Sequence, residues 1–132
     1  MDCVMTWLTS EIDDYKDRLQ TATSEFFLAE MNLNRHGPSE KRLSEYYHAS
    51  LDVALTARDS GDDMSYLLCL KKLYTRMMAE LNDTNNELCC RSQCKVYALD
   101  SLNLTCQLYK GYDVMDKAKI LRTDFAKRSS IT

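Results

Sequence analysis

"DCVMTWLTSEIDDYKDRLQTATSEFFLAEMNLNR", residues 2–35, runs its whole length without a glycine or a proline. Apolar or small residues recur at Met5, Leu8, Ile12, Tyr15, Leu19, Ala22, Phe26, Ala29 and Leu33, alternately three and four positions apart. Side chains so spaced fall on one edge of an α-helix, and a repeat sustained through this many heptads is that of a coiled-coil seam. At 1.5 Å per residue such a helix is ~50 Å long. Glu11, Asp14, Lys16, Asp17 and Arg18 fill the opposite face midway, whereas Trp7 near the start and Phe27 and Leu28 near the end fall off the seam. Both ends therefore have apolar surface to spare.

The rest of the chain extends the helical reading. Its 132 residues contain only three glycines and one proline, too few for an all-β fold, which needs turn residues every ~8–12 positions. Gly37-Pro38 marks a stop followed by a start, with glycine at a helix C-terminus and proline near the next first turn. Helix two, about residues 39–59, carries Leu43, Tyr47, Leu51, Ala54 and Leu55 on one side. "RDSGDDMS" is the next break, where Gly61 can take positive φ and Asp62 can cap. Helix three, about 63–82, holds Tyr66, Leu67, Leu70, Leu73, Tyr74, Met77, Met78 and Leu81. That face is the widest in the chain, which places this helix at the centre. Thr84-x-x-Glu87 has the spacing of a capping box, so a fresh helix is expected from about residue 85, using Leu88, Ser92, Val96, Leu99, Leu102, Cys106 and Tyr109. Gly111 ends it, and Asp113-x-x-Asp116 opens a short fifth helix with Val114, Ile120, Leu121 and Phe125. The expected fold is an all-α antiparallel bundle of four main helices plus a short C-terminal one. Within this single domain, 1–35 is the long heptad helix, 39–110 the helical core and 113–128 the short basic helix.

Composition limits the function classes. Apolar residues at 45% and charged residues at 28% are ordinary for a soluble globular protein, and a chain of this length buries ~65–70% of its unfolded surface without needing a staple. The net charge is −3, with six basic residues against three acidic ones from Lys110 onward, so that segment carries +3 and the remainder −6. A body this acidic repels a polyanion, and the basic segment reads as a solvated last helix rather than a nucleic-acid site. No apolar run reaches the ~18 residues a membrane span needs. Asp2 stands where a secretory leader would carry positive charge, which leads to an expectation of an intracellular, reducing, cytoplasmic setting for six free thiols. The sequons at Asn82 and Asn103 matter only for the alternative of a secreted helical signalling protein.

"ELCCRSQCK", residues 87–95, clusters Cys89, Cys90 and Cys94. On a helix Cys90 and Cys94 share a face while Cys89 points about 100° away, so the three do not converge on one ion. Structural zinc wants four ligands, with Cys pairs in two places, and only one such pair exists here. The Cys-x₃-Cys spacing is similar to that of the small intermembrane-space chaperones, but the fourth position they require is Lys110. The simpler reading is small buried hydrophobes; a thiol-based redox or metal-binding role for Cys89, Cys90 and Cys94 is the alternative. Catalytic patterns are weaker still. Glu45 and His48 have the Glu-x-x-His spacing of di-iron bundles without the second pair those need. There is no Gly-rich phosphate loop and no nucleophile elbow, so neither an enzyme, a metal nor a cofactor is expected.

Two stretches resemble a known family. "LTARDSGDDMSYLLCLKKLY", residues 55–74, is similar in cadence to the first hairpin of microtubule-interacting-and-trafficking modules, and "RSQCKVYALDSLNL", residues 91–104, resembles their third helix. The likeness spans residues 43–109; the long first helix has no place in that family. It implies a groove for a short helical peptide between helices two and four. The expected function is a non-enzymatic interaction module, an adaptor or subunit of a larger assembly that binds a partner helix or a second copy. The expected contact residues are Leu8, Ile12, Tyr15, Leu19, Phe26 and Phe27 on the first helix, with Tyr46, Tyr47, Met77 and Met78 on the body.

Overall fold

The structure, a computed structural model, describes residues 2–130 and consists there of five α-helices: α1 (Asp2–His36), α2 (Glu40–Asp59), α3 (Asp63–Asn82), α4 (Leu88–Gly111) and α5 (Met115–Arg128). None of them is long and apolar enough to cross a membrane. Connections of three to five residues turn each helix back along the last. Helices α2, α3 and α4 pack on one another, α1 lies against the outer side of α2, and α5 lies against α4. Helix α3 is the centre, with Leu70, Leu73, Met77, Met78 and Leu81 all fully enclosed.

The turns follow local chemistry. Gly37 takes φ +78 and its N–H closes on the Leu33 carbonyl at 2.9 Å, ending α1 in the left-handed conformation that costs glycine nothing. Ser39 Oγ then accepts from Arg42 N at 3.1 Å and caps α2, while Arg42 Nε reaches back to the Gly37 carbonyl at 2.6 Å. At the next corner Gly61 (φ +85) precedes Asp62, whose carboxylate caps α3 through Ser65 N at 3.0 Å.

Three local expectations are overturned. The break after α3 exists, but the capping box at Thr84 does not form: α4 begins only at Leu88, and its N-cap, Glu87, makes no side-chain cap bond. Side chains close the end of α3 instead. Asn82 Nδ2 donates to Met78 O at 2.8 Å, Asn86 Nδ2 to Glu80 O at 2.9 Å, and the buried Arg91 Nε to Leu81 O at 2.7 Å. The Glu80 and Leu81 carbonyls are among the last four that a helix end leaves open, and a cation there suits the helix dipole. Second, Asp113 is not the cap of α5; it takes φ +57 beyond the end of α4, where its short polar side chain tolerates the left-handed region. Third, the inward face of α4 keeps only Leu102, Cys106 and Tyr109 of the expected stripe. Leu88, Val96 and Leu99 are exposed, and the buried face is Cys90, Cys94, Ala98, Ser101, Leu102, Thr105, Cys106 and Tyr109. Small side chains let α4 approach α3 closely, and the hydroxyls of Ser101 and Thr105 are satisfied on their own helix, by Ala98 O at 2.9 Å and Ser101 O at 2.8 Å.

Candidate protein-interaction surface

Helix α1 has two halves with different neighbours. In the C-terminal half the seam residues Ala22, Ala29 and Leu33 are buried, and Phe26 packs against the core with its ring 5.6 Å from that of Tyr46. Polar contacts hold this half to α3: Lys72 Nζ lies 3.2 Å from Glu30 and 4.7 Å over the Phe26 ring, and Arg76 donates to Asn34 Oδ1 at 2.7 Å. Among the described residues, the last polar tie towards the N-terminus is Arg18 to Asp59 at 3.3 Å, an ion pair on the final residue of α2. Helix α2 ends there and α1 does not. About sixteen further residues at 1.5 Å each carry α1 ~24 Å beyond the end of its neighbour.

On that overhang the seam continues without a cover. Val4, Met5, Trp7, Leu8 and Ile12 are all exposed, Leu8 by 44% and Ile12 by 46%, and Tyr15 and Leu19 are half-buried where the body begins. Of the residues expected to meet a partner, Leu8, Ile12, Tyr15 and Leu19 thus form one edge that runs into the buried part of the same seam. Phe27, 57% exposed, stands near the other end of α1 with Leu28 and Met31 on a different face.

The body residues are a different matter, and the expectation for them is corrected. Met77 and Met78 are completely enclosed, Tyr46 is 1% exposed and Tyr47 9%. All four belong to the main core, because α3 is covered from both sides and α2 is sandwiched between α1 and the other two core helices. None can be reached by a partner without opening the fold. On the α2–α4 seam, Tyr47 stacks on Tyr97 with centroids 4.1 Å apart and planes at 10°, and its hydroxyl donates to Asp100 at 3.3 Å. Burial, then the Asp100 carboxylate, push the Tyr47 phenol up to about 12.

The thiols divide likewise. Cys90, Cys94 and Cys106 are buried, Cys69 is half-buried, and Cys3 and Cys89 are exposed. Burial, followed by the charges of Glu80 and Cys90, pushes Cys94 up to about 12, so it stays a neutral thiol at physiological pH. Cys89 is raised to about 11 by desolvation and by the adjoining Glu40 and Glu87 carboxylates. Glu45 spends its charge on Lys41 at 3.9 Å, and His48 Nδ1 bonds to the Ser44 carbonyl at 2.8 Å, both at the surface. One grouping was not foreseen: the ligand atoms of Glu87, Cys89 and Cys90 lie within 4.8 Å of one another. The helical wheel misses it because Glu87 precedes the helix, so its side chain is not bound to the helical period.

No protein-family model, curated protein or solved structure matches this chain.

Proposed function

We propose that the protein is a non-enzymatic interaction module, an adaptor or subunit that assembles by packing a helix against the free edge of α1. The observation that carries this reading is the exposure of Met5, Leu8 and Ile12 on the same seam whose later members, Ala22, Ala29 and Leu33, are buried. Covering a leucine or isoleucine contributes roughly 1.5–3 kcal/mol, and two copies of such an edge offer several. A second copy is the simplest occupant.

Geometry restricts how that copy lies. From Arg18 onward the lane beside the seam is filled by α2. A partner helix running parallel to α1 would drive its own residues 18–36 into that lane. An antiparallel partner instead continues the line of α2 end to end and carries its body to the far end of the pair. The flat apolar edge, its polar back and the buried state of the body residues all favour this single contact over a groove on the core.

Sedimentation of the full chain tests the reading. The expected result is a species larger than the 15.3 kDa protomer, reduced to that mass by Leu8→Asp together with Ile12→Asp. A monomeric wild-type chain that co-purifies with nothing, or an assembly indifferent to both substitutions, overturns it.

A further inference from the structure

Away from α1, the start of α4 holds a site with its own chemistry. Glu87, Cys89 and Cys90 bring a carboxylate and two sulfurs within 4.8 Å of one another, in a cleft of about 450 Å³ whose walls are the α1–α2 turn (Pro38, Ser39, Glu40, Arg42) and the α3–α4 connection (Asn85, Asn86). Cys90 forms the buried side and Cys89 the open one. Cys89 Sγ donates to Glu87 Oε2 at 3.5 Å.

The walls are braced. Gln93 Nε2 donates to the Glu40 carbonyl at 2.9 Å and so fixes the first turn of α2 against α4. Arg42 holds the turn before it through the Gly37 and His36 carbonyls at 2.6 and 3.2 Å. Arg91, the buried neighbour of Cys90, ties the same turn of α4 to the end of α3. Ligands carried on such a corner are held before an ion arrives, which is what a metal site requires.

Both thiols are free, and a bridge between them would be strained, since neighbouring residues have Cα atoms about 3.8 Å apart and a disulfide usually spans about 4.4–6.8 Å. They can share an ion. In a tetrahedral zinc site with bonds of about 2.3 Å to sulfur and 2.0–2.2 Å to oxygen, neighbouring ligand atoms stand about 3.5–3.8 Å apart. Side-chain rotation of about 1 Å closes the present grouping to that shape.

We propose that Glu87, Cys89 and Cys90 bind one thiophilic divalent cation of the zinc class, with the Glu40 carboxylate on the facing wall or a water molecule as fourth ligand. Binding replaces two S–H bonds with two sulfur–metal bonds and releases two protons to solvent; no electron is transferred. Thiolate sulfur selects such an ion over magnesium or calcium. Cys94 takes no part, since one turn further on it is fully enclosed and lines none of the cleft. This inference is independent of the docking edge on α1.

The test is titration of the reduced, metal-stripped full chain with Cd²⁺, followed by ultraviolet thiolate-to-metal absorption, with Zn²⁺ as competitor. The expected result is a band that saturates at one equivalent and is displaced by Zn²⁺. Cys89→Ser, an exposed change that leaves the helix content intact, abolishes it; Glu87→Gln weakens binding by at least ~10-fold; Cys3→Ser leaves it unchanged. No band at one equivalent, or a band that survives Cys89→Ser, overturns the proposal.

Discussion

Tyr47, Tyr74 and Tyr112 each donate a phenol proton to a carboxylate on another element: Asp100 at 3.3 Å, Asp124 at 2.8 Å and Asp63. All three phenols are raised above the ordinary value of 10.0. Burial is the first cause for Tyr47 and Tyr74, and the hydrogen bond to Asp63 for Tyr112. An acid whose pKa is higher in the fold than in the unfolded chain contributes its full stability below pH 10. Between pH 10 and about 12 the unfolded chain ionises while the fold keeps its protons, so stability falls with rising pH through that window. A spectrophotometric titration should show Tyr47 and Tyr74 ionising only as the helical circular dichroism is lost. Tyr74→Phe should make that alkaline loss shallower while lowering neutral stability by ~0.5–1.5 kcal/mol. Thiols give a second check at the same scale. Exposed Cys3 should react with a thiol reagent at once at neutral pH, Cys89 more slowly because its proton is held, and Cys94 and Cys106 only on unfolding.

At the scale of elements, the two halves of α1 make opposite predictions from one heptad pattern. Leu33→Ala opens a void in the main core and should cost ~2–5 kcal/mol, whereas Leu8→Ala in the separated protomer should stay within ~0.5 kcal/mol. Denaturant unfolding of both variants at low concentration decides between them. The helices were legible because long glycine-free segments carry their period in the residues themselves, and Gly37 and Asp62 punctuate them with groups whose backbone chemistry has few alternatives. The α4 face was legible only at Leu102, Cys106 and Tyr109, because its other inward residues are cysteine, alanine, serine and threonine: close helix approach selected small volume there, while the conspicuous Val96 and Leu99 were left outside. The start of α4 was misread for a related reason, since the Asn86 amide and the Arg91 guanidinium close α3 from positions that no capping pattern encodes. The free edge of α1 was legible as an edge. Tyr46, Tyr47, Met77 and Met78 were misassigned because a face rich in tyrosine and methionine looks the same in sequence whether the chain covers it or a partner does.

For the whole molecule, the arrangement separates what folds from what associates. The body closes on itself from about Tyr15 onward, and residues 3–14, all exposed, add apolar edge without adding core. An isolated helix of some sixteen residues is marginal in water, so association should also order the overhang. Mass action then ties stability to concentration: a species that binds the folded chain raises its melting temperature as RT ln(1 + [L]/Kd), and here the ligand is the chain itself. Thermal unfolding of the full chain should therefore shift upward as protein concentration is raised from micromolar to hundreds of micromolar. A chain lacking residues 1–17 keeps Arg18, the buried half of the seam and the whole core. It should melt at the temperature the full chain approaches on dilution, within the few degrees that ~0.5 kcal/mol represents, and show no dependence on concentration. A shortened chain that melts far below the diluted full chain would mean that the overhang is part of the fold. A full chain whose melting ignores concentration would mean that its edge has no second copy to meet.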